Sequence, residues 1–143
     1  MTASVKPPRP LPVRGMYIDT AEFWAGAKQG KLMLQYCTVS QRFQHYPRPV
    51  SVFTGRKTLE WREASGQGTL YSWTVTRSAW PGNEARVPYI CAHVDLDEGV
   101  RFLCNLVDCE DVDLKIGMRM IVRWDQLSEE LSFPDFTPIR ETK

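Results

Sequence analysis

At 143 residues, with 43% hydrophobic and 24% charged residues, the chain has the make-up of one globular domain, or of two small modules sharing a core. No apolar run approaches the ~20 residues that span a bilayer, and the first twelve residues hold Lys6 and Arg9 without the apolar stretch of a secretory leader. A cytoplasmic protein with no membrane contact is therefore expected, and the four unpaired cysteines, Cys37, Cys91, Cys104 and Cys109, fit a reducing compartment. The net charge of +1 conceals a division: residues 1–62 carry ten Lys/Arg against three Asp/Glu, and residues 63–143 carry eight against fourteen.

Residues 1–18 are proline-rich and read as an extended arm that builds no core of its own. Residues 19–62 form a first module. Asp19-Thr20-Ala21-Glu22 has the pattern of a capping box, and Phe23, Trp24 and Ala27 follow on a short helix that Gly30 can end. Residues 31–36 are β-capable and lead into Cys37, residues 41–50 suit a hairpin arm, and residues 57–61 a second short strand. From residue 63 the texture is that of antiparallel strands, predicted at 69–77, 89–96, 100–107, 118–124 and 131–136. Ile90, Ala92, Val94 and Leu96 alternate with Tyr89, Cys91, His93 and Asp95, and Asp97-Glu98-Gly99 supplies a hairpin turn. Five strands at this spacing, the first long enough to bend, predict a Greek-key barrel of the OB type over 63–143.

The first module contains Cys37-Thr38-Val39-Ser40 and Ser51-Val52-Phe53-Thr54, two knuckles with the spacing of a zinc ribbon. Tetrahedral zinc wants four thiolate or imidazole ligands, and only Cys37 offers one here. Ser40, Ser51 and Thr54 keep their protons near neutral pH and bind zinc poorly. Loss of the metal is the expectation, with hydrogen bonds and Phe43, Tyr46 and Phe53 holding the knuckles. Cys37 with His45 does not close a structural site.

These residues resemble a known family, the zinc-ribbon/OB-fold proteins of bacteria and archaea encoded beside acyl-CoA enzymes and long catalogued as a domain of unknown function. The likeness rests on Phe23-Trp24, Gly30-Lys31-Leu32, Gln35, Cys37, Tyr46-Pro47-Arg48-Pro49, Leu59-Glu60-Trp61 and the run from Gly66 to Ser72. It continues through Val94-Asp95-Leu96, Glu98-Gly99-Val100 and Ile116-Gly117-Met118. It implies a mainly β fold, with a short N-terminal helix and a rubredoxin-like ribbon before the barrel. It also implies a non-catalytic accessory subunit that docks on a thiolase-like or hydratase enzyme and helps hold its acyl-CoA. The knuckles depart from the pattern and put zinc in doubt.

No candidate catalytic group survives inspection. Cys91 and Cys104 fall in strands, Cys109 sits among Asp108, Glu110 and Asp111, and His93 has no nucleophile beside it. Gly66-x-Gly68 precedes a strand and lacks the context of a dinucleotide fingerprint. Binding residues are sought instead in Phe23, Trp24, Lys31, Arg42, Arg48, Arg56, Trp80 and Tyr89. Large aromatics anchor interfaces, and arginines suit a partner's carboxylates or the phosphates of coenzyme A. Phe23 and Trp24 lie ~100° apart around a helix, so one is expected to anchor the ribbon and the other to face a partner. A single-stranded nucleic-acid binder is the alternative from another class, since OB barrels stack bases on aromatics such as Tyr71 and Trp73. The acidic barrel half disfavours it. A stand-alone acyl-CoA-binding protein is a third reading, and a homo-oligomer is compatible with any of them.

Overall fold

A computed structural model describes residues 9–10 and 18–141, so most of the proline-rich arm lies outside the described residues. A 3-10 turn, Ile18–Thr20, leads into α1, Ala21–Lys28. The predicted capping box does not form: Thr20 occupies the N-cap, no side chain caps the helix, and Asp19 lies inside the preceding turn. The C-terminus behaves as expected. Gly30 takes φ +72° while its amide bonds to Ala27 O and that of Lys31 to Gly26 O, a Schellman closure.

Three strands follow as an antiparallel sheet in the order β2-β1-β3: β1 Met33–Cys37, β2 Arg42–Gln44 and β3 Leu59–Glu63. β3 starts and ends two residues later than predicted, because its register places Trp61 against Gln35 and Glu63 against Met33. Two buried glutamines organise this sheet and the loop beside it. Gln44 Nε2 donates to Gln35 Oε1 at 2.9 Å, Gln35 accepts from the Arg48 amide and donates to Arg48 O, and Gln44 Oε1 accepts from the Val52 amide. Backbone groups of the loop at Arg48 and Val52 are thereby paired within the protein.

The remaining strands close a barrel: β4 Gln67–Thr76, β5 Tyr89–Leu96, β6 Arg101–Leu106, β7 Arg119–Gln126 and β8 Ser132–Pro138, in the order β4-β5-β6-β8-β7. This is the OB arrangement. β6 and β8 run parallel, meeting at Leu106 and Phe136, and every other pair is antiparallel. β4 is long enough to serve two neighbours. It pairs with β5 along its length and with β7 through Gln67–Thr69, and a bulge between Leu70 and Ser72 bends it between them. Gly68 sits in the squeeze, where a Cβ would lie 2.5 Å from Asp95 O. The alternation in β5 is as read from sequence, with Ile90, Ala92, Val94 and Leu96 buried. Phe136, Met120, Val94 and Leu70 fill the centre at 0–1% exposure. Each such side chain contributes roughly 1.5–3 kcal/mol by leaving water.

Candidate functional site

Helix α1 lies beside the barrel, and the turn after β2 packs between them. Its apolar face brings Phe23 onto Phe102 of β6, with ring centroids 6.3 Å apart and nearly parallel. Trp24 meets Phe133 of β8 at 4.9 Å. His45 stacks on Phe102 at 4.8 Å and on Tyr46 at 4.2 Å. Together with Tyr89 these side chains wall a half-open cavity of about 420 Å³. That volume falls in the range of roughly 300–1,000 Å³ usual for small-molecule sites, and the wall is mainly apolar, as such sites are.

Burial brings the His45 imidazole down to about 4, so it is neutral at ordinary pH. Its Nε2 is buried and has no hydrogen-bond partner among the described residues. At the cavity edge stands Arg9 from the arm. Its guanidinium donates to Asp125 Oδ2 at 3.1 Å and to Asp135 Oδ1 at 2.6 Å, and covers the Phe133 ring at 4.8 Å. Asp135 is 3% exposed, and burial pushes its carboxyl up despite the arginine. A second, more polar hollow of about 190 Å³ adjoins the first: Arg9, Tyr89 and Asn105 line both, and Pro10, Asn83 and Arg86 complete it.

The thiols are not arranged for nucleophilic work. Cys104 is pushed far up by burial and by the nearby Asp135, and Cys109 up to about 11 by burial and by Asp108 and Glu110. Cys37 behaves differently, although it is 0% exposed. Burial raises it, but the hydroxyls of Ser40, Ser51 and Thr58 and the Ser40 amide outweigh this and bring it down to about 6. The Ser40 hydroxyl acts without a well-aligned hydrogen bond of its own among the described residues.

The donor chemistry at the knuckles does not fit zinc. Cys37 Sγ faces Thr58 Oγ1 at 3.2 Å, Thr58 Oγ1 meets Thr54 Oγ1 at 2.9 Å, and Ser51 Oγ accepts from the Phe53 amide at 3.1 Å. One sulfur ligand among hydroxyls already engaged with one another and with the backbone leaves no four-ligand set. Among the described residues no three His, Cys, Asp or Glu side chains converge. His45, considered beside Cys37 from sequence, belongs instead to the aromatic wall.

The structure gathers three of the eight binding residues read from sequence, Phe23, Trp24 and Tyr89, at the cavity. The division of labour expected for the first two is overturned. Phe23 is buried at 7% and Trp24 half-buried, their rings meet edge-on at 5.0 Å, and both line the same hollow. Lys31, Arg42, Arg48 and Arg56 are exposed away from it, Arg42 lying over Phe53 at 4.3 Å. Trp80 stands 78% exposed in the loop between β4 and β5, also outside the cavity wall. Arg9, Phe102, Asn105 and Phe133 were missed, since they come from elements far apart in sequence and no spacing announces them.

Residues 61–125 match the family described as ChsH2, C-terminal OB-fold domain. A DUF35 domain-containing scaffold protein of Methanocaldococcus jannaschii is 30% identical over 103 residues, covering 67% of this chain and 73% of that protein. The chain belongs to the DUF35 family. This DUF35 chain is also 33% identical over 120 residues to a probable enoyl-CoA hydratase alpha subunit of Thermomonospora curvata; the match takes in 84% of the chain but only 37% of that subunit. Among solved structures it superposes on a chain of the Ltp2-ChsH2(DUF35) aldolase with a TM-score of 0.78 and 32% identity, covering 88% of this chain and 98% of that one.

Proposed function

We propose that this DUF35 chain is a non-catalytic accessory subunit that docks on a thiolase-like or hydratase acyl-CoA enzyme and helps hold its acyl-CoA. The observation that carries the reading is the match, over 98% of its length, to a chain of an aldolase named for two components. The alpha-subunit relative and the scaffold relative agree with it. The chemistry is consistent as well: Cys104 and Cys109 are held as thiols, and Cys37 is shut away from substrate. The work left to such a chain is to bind, orient and complete a partner's surface.

Phe23 and Trp24 are largely consumed by internal packing, so the docking surface belongs to exposed groups. Trp80 and the arginines at 48 and 56 are the candidates, since all three are exposed, a large aromatic can anchor an interface and cations suit an acidic flank. The test is co-expression with a thiolase-like or hydratase enzyme of the same organism, followed by pull-down. Wild type should co-purify, and a Trp80→Ala, Arg48→Glu variant with unchanged circular dichroism should lose most of the complex. Wild type that captures no such enzyme overturns the proposal, and a folded variant that keeps the full complex overturns the location.

The nucleic-acid alternative finds little support on the barrel surface. Arg101, Arg119 and Arg123 are each paired with an aspartate, Asp95, Asp97 and Asp108, so they offer few cations to phosphates. No described helix is long and apolar enough to cross a membrane. A cytoplasmic setting remains part of the proposal.

A further inference from the structure

The aromatic cavity and the polar hollow beside it share Arg9, Tyr89 and Asn105, so they are two ends of one amphipathic depression. The larger end is walled by aromatic rings and by Leu103, and its imidazole is uncharged. The smaller end offers the side-chain amide of Asn83, while Asn105 at its border already donates from Nδ2 to Ile90 O at 3.1 Å and to Cys91 Sγ at 3.4 Å. The two guanidinium groups of this end face two carboxylates. Arg9 is clamped between Asp125 and Asp135, and Arg86 lies close enough to Asp135 to act on it. Cation and anion balance there, so the polar end favours neither a free carboxylate nor a phosphate.

We propose that this depression is an acyl site, taking the apolar body of an acyl thioester among Phe23, Trp24, Phe102 and Phe133 and its neutral carbonyl end beside the Asn83 amide. The thioester identity rests on the acyl-CoA reading above; the apolar body and the neutral end rest on the walls themselves. The site is separate from any surface that would meet coenzyme A phosphates, which needs the surplus cations found elsewhere. Apolar burial drives binding, and the Asn83 amide orients the carbonyl.

The test uses the isolated full chain and octanoyl-N-acetylcysteamine thioester, a neutral probe without phosphates, in isothermal titration calorimetry with ¹H–¹⁵N NMR. Saturable one-to-one binding is expected, with a negative heat-capacity change and shifts centred on the Trp24 indole N–H and on the amides of Phe102 and Asn105. Octanoate should bind at least fivefold more weakly, and excess coenzyme A should not displace the probe. Leu103 is 52% exposed at the cavity edge. A Leu103→Trp variant fills the hollow from that edge and should weaken the probe at least tenfold with an unchanged melting temperature. The NMR shifts locate the site in wild type even if the variant fails to fold. No saturable binding at millimolar probe, shifts remote from these residues, tighter binding of octanoate, or displacement by coenzyme A would each overturn the assignment. The measurement involves no partner enzyme, so its failure is distinct from failure of the pull-down.

Discussion

His45 shows how one residue's surroundings replace the role its type suggests. Its ring is stacked between Phe102 and Tyr46, and burial favours the neutral form. An unfolded histidine titrates near 6.5, so the folded chain binds fewer protons between that value and about 4. The histidine's stabilising effect is complete above pH ~6.5 and is lost as pH falls through about 4. Urea denaturation between pH 7.5 and 4 should show stability falling on acidification by up to about 3 kcal/mol from this group. His45→Phe, which keeps the stack, should flatten that part of the profile; an unchanged profile would show the imidazole to be solvated. Gln44 makes a second residue-scale case. Gln44→Ala strips partners from Gln35 and from the Val52 amide in a buried setting. A loss of about 2–4 kcal/mol is expected by denaturant titration. Neither role was legible in advance. A histidine near a cysteine suggests a ligand, and only the packing of β6 against the turn after β2 turns it into part of an apolar wall.

At the scale of elements, the ribbon-like sheet keeps its geometry through hydrogen bonds. The glutamine pair fastens the 45–52 loop, and hydroxyls surround Cys37 in a second cluster. Chelator should therefore leave the melting temperature of the wild-type chain unchanged, whereas structural zinc contributes on the order of 10 kcal/mol where it is present. Restoring thiolates with Ser40→Cys, Ser51→Cys and Thr54→Cys together should yield one equivalent of zinc by atomic emission and a chelator-sensitive melting temperature. A triple variant that stays metal-free would show that the knuckles have moved apart. The elements themselves were readable to different degrees. β5 was read to the residue, because strict alternation on a half-buried strand has one register that buries Ile90, Ala92, Val94 and Leu96. The helix start was misread because Asp19-x-x-Glu22 favours a cap only if Asp19 stays outside the helical turn, and here a 3-10 turn takes it in. β3 was displaced because its pairing with β1 outweighed local propensity.

For the whole molecule, the tie between arm and barrel matters most. Arg9 reaches Asp125 on β7 and the buried Asp135 on β8, more than a hundred residues along the chain. Removing one member of a buried pair strands the other's charge, which costs several kcal/mol, whereas removing both restores much of the loss. Arg9→Ala is expected to destabilise the fold by about 3–5 kcal/mol at neutral pH, and Arg9→Ala with Asp135→Asn by markedly less. Equal losses in the single and double variants would show that the pair is not coupled. The arm was read as an extended segment that builds no core of its own. Of its residues only Arg9, Pro10 and the Ile18 backbone fall among those described, and Arg9 is packed against the barrel.

The sequence by itself determined the barrel, because alternating apolar residues and turn glycines are local signals that recur strand by strand. It also determined the poverty of the knuckles in metal ligands, since ligand chemistry is a property of residue type. The cavity was decided only by the tertiary structure. Its wall is assembled from α1, the turn after β2, β5, β6 and β8, with the arm's Arg9 at its edge. Which apolar residue fills the core and which is left to line a hollow depends on how these elements pack. Phe136 and Phe102 are both phenylalanines on inward-facing strand positions; one is sealed at the barrel centre, and the other presents its ring to Phe23 and His45. That difference is set by helix and turn packing against the barrel, a contact between distant segments that no pattern along the chain records.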